Sequence, residues 1–481
     1  MEAKINSKAI LITFMIGAFF AVLNETLLNI ALTDLMKVFH VDAPTIQWLA
    51  TGFMLVMGVL MPISALLIQS FTTRQMFIGV MIVFLLGTII AACAVNFPML
   101  LTGRMIQAVG TGLLIPVIMN ALLLIYPTEV RGKIMGTFGL VIMFAPAIGP
   151  TLSGVIVDTL GWRWLFLIVI PFALFSILFA LKYLQNVGEV TKPKVDVISI
   201  ILSTIGIGGI VYGFSSAGEN GKGFLSITIL SIILISLLSL LLFVLRQLKL
   251  DEPLLDVRVF KYKRYAQGVI LFVFVVMAMF ASEIVMPMYL QGPLGYSAKT
   301  AGLLLLPGAL LNGLMSPVMG SLFDKYGPRK LIIPGTIVMI GVTIFFCNIN
   351  PSMPIWSFII VYIVLMLSIS AILMPAQTNG LNELPENLYP HGTAIANTLQ
   401  PVAGAFGVSI FVSIMTQGRN NFLGEQHGSI TQQIINEAMT YGVHHAYWFA
   451  LVLSIISFFI VLFIKKAVVS DSGKGKAGSF D

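Results

Sequence analysis

The chain has 481 residues, 58% of them hydrophobic and only 10% charged, with a mean hydropathy of +0.99 and a formal net charge of +7. Soluble chains carry about 25% charged residues, so a water-soluble globule is excluded and a polytopic helical membrane protein is implied. Its two cysteines, Cys93 and Cys347, lie far apart in apolar runs and offer no metal-ligand spacing, so no metal or other cofactor is expected.

The chain opens with a short basic stretch, 1–8, and the apolar run 9–32 follows. That run is too long for a signal-peptide core and lacks a small-residue cleavage site, so it reads as an uncleaved first span. Further apolar runs fall at 47–69, 76–96, 99–124, 134–157, 164–184, 196–215 and 224–245, then at 267–290, 301–323, 331–349, 355–378, 392–416 and 444–464. Together they predict about fourteen transmembrane helices, the seventh diluted by Gly206, Gly208, Gly209 and Gly213. With the N-terminus inside, only Lys37, Arg163, Lys222, Lys299 and Arg419 fall in outer segments, and the remaining loop lysines and arginines are inner. The positive-inside rule then places both termini in the cytoplasm of a multi-pass cell-membrane protein, and it accounts for the basic balance without a nucleic-acid partner. The longest hydrophilic segments are 185–195, 246–265 and an outer loop at 418–443, and the tail 470–481 reads as disordered.

Arg104 sits inside the fourth run, with Gln107 three residues on and on the same helix face. A cation at that depth costs from about 3 to above roughly 10 kcal/mol, and such residues face a cavity or a partner, or snorkel to an interface. Gly110 and Gly112 thin the same helix and let a neighbouring backbone approach. Among the acids, Glu25 and Glu283 fall well inside apolar runs, in spans 1 and 9. A carboxylate there can load and unload a proton according to which side has access, or it can be a packing residue satisfied by a hydrogen bond. Met and Phe are abundant, and some are expected to line an adaptable pocket. His391, His444 and His445 lie at span ends and read as surface histidines.

Two inner turns look related: GSLFDKYGPRK at 320–330 after span 10, and the degraded ALLIQSFTTRQ at 65–75 after span 2, where Gln69 stands in place of the acid. This suggests two related halves, spans 1–6 and 9–14, with spans 7–8 inserted. Asp324 and Arg329 are candidates to pair across the second turn and latch one state.

GSLFDKYGPRK resembles the signature inner loop of the major facilitator superfamily. Arg104, Gln107, Gly110 and Gly112 are similar to its fourth-span pattern, and APAIGPTLSG at 145–154 to its fifth-span antiporter motif, with Gly149, Pro150 and Gly154 in place. LNETLLNIAL at 23–32 resembles the first-span motif of the fourteen-span drug/proton antiporters, except that Asn24 replaces the motif's aspartate, with Glu25 beside it, and Thr33 replaces its proline. GWRWLFLIVIP at 161–171 resembles that subfamily too, and within it the chain looks most like the lincomycin-resistance-type exporters of Gram-positive bacteria.

The resemblance implies an all-α fold of two six-helix bundles, 1–190 and 251–469, with two inserted helices at 191–250 and a cytoplasmic tail at 470–481. It implies proton-driven efflux of varied apolar or cationic drugs by alternating access, by a monomer that is not an enzyme and whose partners are small-molecule drugs, protons and the lipid bilayer. Export of an endogenous lipid or metabolite is the alternative. Glu25, Arg104 and Glu283 are the expected proton-coupling residues, and Glu25, Asn29, Gln107 and Glu283 the expected substrate contacts. Gly149, Pro150, Gly154, Gly320, Asp324, Gly327 and Arg329 are the expected gating residues. An ATP-driven pump is disfavoured, since GENGKG at 218–223 lacks the phosphate-loop frame.

Overall fold

The structure, a computed structural model, describes residues 7–126, 128–186, 190, 196–217, 226–250, 253–385, 388–426 and 431–465. The tail 470–481, the GENGKG segment and most of the 185–195 linker lie outside the described residues. Among the described residues, fourteen helices are long and apolar enough to cross a membrane. They are α1 (Ser7–Phe39), α2 (Trp48–Ser70), α3 (Thr73–Ala92), α4 (Phe97–Ile125), α5 (Thr128–Leu160), α6 (Val169–Tyr183) and α7 (Val197–Ala217). The rest are α8 (Ile227–Gln247), α9 (Lys263–Gln291), α10 (Ala298–Tyr326), α11 (Arg329–Cys347), α12 (Ile355–Leu381), α13 (Tyr389–Gly424) and α14 (Gln432–Leu462). Short helical turns, Ala43–Ile46 and Trp164–Leu167, lead into α2 and α6. With an even number of spans, α1 begins and α14 ends on the same face, the terminal face, and the other is the distal face.

These runs become helices because a bilayer leaves the backbone no partner but itself. Their ends are set by side-chain caps: Asn96 accepts from Met99 N–H, Ser297 from Thr300 N–H, and Thr72 with Gln75 forms a capping box. α10 stops at Gly327, whose φ of 77° favours glycine and whose N–H donates to Phe323 O at 2.8 Å. The glycine-diluted seventh run is a full helix.

α1 to α6 pack mainly on one another, most extensively α3 on α4, as do α9 to α14. Gly110 allows the α3–α4 approach, since a Cβ there would meet Phe84 at 2.6 Å. The two sets meet along three seams, α5 on α10, α2 on α13 and α1 on α9. α7 lies across the α2–α13 seam and α8 packs on α7. At the terminal face a bidentate pair joins the inserted helices: Arg246 donates to Asp196 through Nε and Nη2 at 2.9 to 3.2 Å. The guanidinium holds the Asp196 carboxyl down to about 2, with help from Ser199. A depressed carboxylate contributes stability above its ordinary titration range, so this contribution persists at neutral pH and is lost as pH falls toward 2.

Two expectations need correction. The predicted outer loop at 418–443 is mostly helix, because α13 runs to Gly424 and α14 starts at Gln432. Amide pairs one turn apart, Gln417 with Asn421 and Gln432 with Asn436, support these polar extensions. Nor do Asp324 and Arg329 pair. Arg329 instead donates to Ile464 O at 2.7 Å and Leu462 O at 2.9 Å, where a cation meets the unsatisfied carbonyls closing α14.

The topology makes a direct prediction. In a chain with Cys93 and Cys347 replaced, single cysteines at Lys261 and Gln426 are expected to react with a membrane-impermeant maleimide from opposite sides of the membrane, because the five spans α9 to α13 separate them. Labelling from the same side would overturn the fourteen-span path.

Candidate functional site

The site is built from a buried arginine outward. Arg104 on α4 is fully buried (0% exposed). Its Nη1 donates to Asn24 Oδ1 at 2.6 Å, to Asn24 O at 3.1 Å and to Gln107 Oε1 at 3.0 Å, and its Nε donates to Leu49 O at 3.5 Å. The Phe53 ring lies 4.1 Å from the guanidinium carbon, near enough for a cation–π contact. One side chain thus joins α1, α2 and α4. Arg104 does not snorkel. All these partners are neutral, and the guanidinium makes no ion pair with Glu25.

Gln107 is engaged at both ends of its amide, accepting from Arg104 and donating to Thr88 Oγ1 at 2.7 Å. It does not line the cavity described below; it orients Arg104. Asn24 and Glu25 are neighbours in sequence, about 100° apart around α1. Asn24 turns into the first set of helices against Arg104, while Glu25 is within electrostatic reach of both Arg104 and Glu283 of α9. One turn along, Asn29 Nδ2 donates to Glu283 Oε2 at 3.3 Å, across the α1–α9 seam. Spans 1 and 9 are therefore juxtaposed, and Asn29 makes the direct contact.

Glu283 also lines a cavity of about 360 Å³ between α5, α9, α10, α12 and α13. Its wall includes Pro146 and Pro150 of α5, Met279 of α9, Asn312 of α10, Tyr362, Met366 and Gln377 of α12, and Gln400 of α13. Among the described residues, Glu283 is the one charged side chain in that wall. Glu25 and Asn29 lie outside it. The cavity runs from Glu283, about two turns from the distal end of α9, to Gln377, about one turn from the terminal-face end of α12.

The distal half is closed. Thr151 Oγ1 donates to Gly302 O at 3.0 Å, Lys299 N–H to Asp158 Oδ2 at 2.9 Å, and Gln291 Nε2 to Ile30 O at 2.9 Å. The fifth-span glycines make this closure tight. A Cβ at Gly154 would collide with the Ala298 carbonyl, one at Gly149 with the Thr26 hydroxyl, and one at Gly302 would sit 2.6 Å from Pro150 O. Pro150 and Gly154 thus meet α10 at the α5–α10 seam, while Gly149 packs on α1 within its own set. Gly320, Asp324, Gly327 and Arg329 lie at the terminal-face end of α10 and the start of α11, away from the cavity.

Sequence reasoning missed Phe53 and Thr88 around Arg104, and Asn312, Tyr362, Gln377 and Gln400 in the cavity. A signal existed for three of them: Asn312, Gln377 and Gln400 are amides inside apolar runs.

Comparison with known proteins agrees with this architecture. The family model for the Major Facilitator Superfamily matches residues 14–408. The chain is 49% identical over 460 residues to the lincomycin resistance protein LmrB of Bacillus subtilis (strain 168), covering 96% of each chain. It is 48% identical to the protein of the same name from Listeria monocytogenes serovar 1/2a, covering 96% of this chain and 98% of that one. Among solved structures, its fold is similar to that of a bacterial homolog of the human lysosomal transporter Spinster, crystallised inward-facing and unoccupied, with a TM-score of 0.68 at 13% identity, covering 95% of this chain and 97% of the other. On its helices, its motifs and these matches, the chain belongs to the major facilitator superfamily.

Proposed function

We propose that this transporter is a proton-coupled antiporter that exports structurally varied apolar or cationic drugs. The observation that carries the reading is the cavity of about 360 Å³, within the range of drug-sized sites, with the carboxylate of Glu283 in its wall. Met279, Met366 and Met374 supply a wall that can re-pack around different shapes, and Asn312, Gln377 and Gln400 supply neutral hydrogen-bonding groups. A carboxylate at that depth serves an amine or a proton equally well. The names of the relatives, lincomycin resistance proteins, favour drugs over an endogenous solute.

In this reading the terminal face is cytoplasmic, following the basic residues, and the conformation described is inward-open. Residues 1–190 and 251–469 are the two moving halves, and 191–250 is the insertion. The protein works as a monomer, needs no cofactor and draws on the proton gradient. Glu25 and Glu283 exchange protons and substrate, and Arg104 fixes the half that carries Glu25. Outside, the carboxylates take protons and release drug; inside, they lose protons and accept drug. Gly149, Pro150 and Gly154 let the distal face close, while Gly320, Asp324, Gly327 and Arg329 shape the terminal-face end.

Two measurements in proteoliposomes under an imposed pH gradient test this. Glu25→Gln is expected to keep substrate binding within about threefold and to lose pH-driven efflux. Efflux at the wild-type rate would pass the coupling role to Glu283 alone. Arg104→Lys keeps the charge but loses the planar fork that spans α1, α2 and Gln107, so flux is expected to fall about tenfold or more, the equivalent of one lost charge-assisted hydrogen bond. Unchanged flux would reduce Arg104 to a buried charge with no positioning role.

A further inference from the structure

Of the four hydrogen bonds described across the seams between the two sets of helices, only Asn29 to Glu283 involves an acid that also lines the cavity. Thr151–Gly302 and Gln291–Ile30 use carbonyl acceptors that do not titrate. Asp158–Lys299 involves an acid at the exposed distal rim, where water competes for the carboxylate. Asn29 is 3% exposed, and its Oδ1 is buried without a partner. The amide therefore has both a donor and an acceptor to offer Glu283. To the charged carboxylate it donates from Nδ2; to the protonated acid it can turn and accept at Oδ1. The first is a charge-assisted bond, roughly twice as strong as the second.

We propose that Asn29 is the coupling latch of the transport cycle: its hydrogen bond to Glu283 holds the distal face shut when that carboxylate is charged and empty, and loosens when a proton or a cationic drug neutralises it. This rests on the antiport reading above. An antiporter must reorient when loaded with proton or drug and must not reorient empty, because an empty return lets protons leak inward with no drug moved. The charged, unoccupied Glu283 is that forbidden state, and it is the one Asn29 grips most strongly. A drug cation arriving in the cavity competes for the same oxygen and releases the grip, and protonation of Glu283 weakens it. The charged and titratable groups facing Glu283 fit this role. Glu25 approaches from α1, with Arg104 behind it, and Tyr362 approaches from α12. From α14, Tyr447 donates to Ser282 beside it at 3.2 Å, while α10 and α13 present the neutral Asn312 and Gln400. Among the described residues, no lysine or arginine lines the cavity to replace Asn29 as the donor.

The test is proton entry into proteoliposomes carrying an internal pH dye, with and without ethidium as a fluorescent cationic substrate. Wild type is expected to admit protons slowly without ethidium and faster with it. Asn29→Leu is expected to raise ethidium-independent proton entry about tenfold and to narrow the difference ethidium makes, while still binding ethidium. Asn29→Ser, which keeps a shorter donor, is expected to leak at an intermediate rate, and it carries the test if the leucine variant does not insert. Asn29→Leu combined with Glu283→Gln is expected to leak no more than Glu283→Gln alone, since the carboxylate that Asn29 grips is gone. A merely misfolded variant loses transport without gaining a leak. If wild type couples protons to ethidium but neither Asn29 variant leaks above it, the latch is overturned and the antiport reading stands. If wild type moves no protons with ethidium, the antiport reading falls, and the latch with it.

Discussion

The structure depends first on how a cation is kept inside a hydrophobic bundle. The Arg104 guanidinium has no carboxylate in contact; it is held by a side-chain amide, two backbone carbonyls, a second side-chain amide and an aromatic face. Each of those partners belongs to a helix whose position is thereby fixed. Removing such a group's partners is more damaging than never having placed the charge there, because the desolvation already suffered is no longer offset. Asn24 is the telling residue. An acid in its place would neutralise Arg104 locally. An amide holds the guanidinium yet leaves its charge unspent, so the field reaches the neighbouring carboxylate of Glu25.

That division separates tasks in space. The polar machinery of the first set of helices is buried and centred on Arg104, with Asn24 and Gln107 turned toward it. The second set supplies most of the cavity, with proline-bearing α5 as the contribution from the other side. Where the sets touch, small residues bring backbone against backbone. A seam of this kind has few side chains to interdigitate, and so few to disentangle when it parts. A bulky seam would make each reorientation a repacking problem, whereas carbonyl-to-glycine contacts and four hydrogen bonds can be exchanged for lipid or water contacts in small steps.

Much of this was legible in the chain. Fourteen apolar runs gave fourteen helices, since in a bilayer length and hydropathy decide the element without help from tertiary contacts. Glu25, Arg104 and Glu283 were visible because ionisable groups at depth are rare. The partners were harder. Thr88 and Phe53 are ordinary residues in apolar helices, and nothing local marks them as neighbours of Arg104. The spacing of Gln107 gives a helix face but not what that face meets, which is Arg104 and Thr88. The polar stretch at 418–443 was read as a loop by composition, although one-turn amide pairs are helix-compatible. Arg329 was paired with the nearest acid in sequence, when its partners were carbonyls 133 and 135 positions away.

The inserted helix α7 adds a mechanical consequence. It is fastened to both sides of the seam it covers: Tyr212 packs on Trp48 at the start of α2, while Ser215 shares a 2.5 Å hydroxyl contact with Ser409 of α13. All of these anchors lie in the distal half of the molecule. When the distal face opens, Trp48 and Ser409 must separate, and α7 can follow only one of them. In an alternating-access cycle α7 therefore gives up one of these anchors whenever the distal face opens, and acts as a clutch between the two sets.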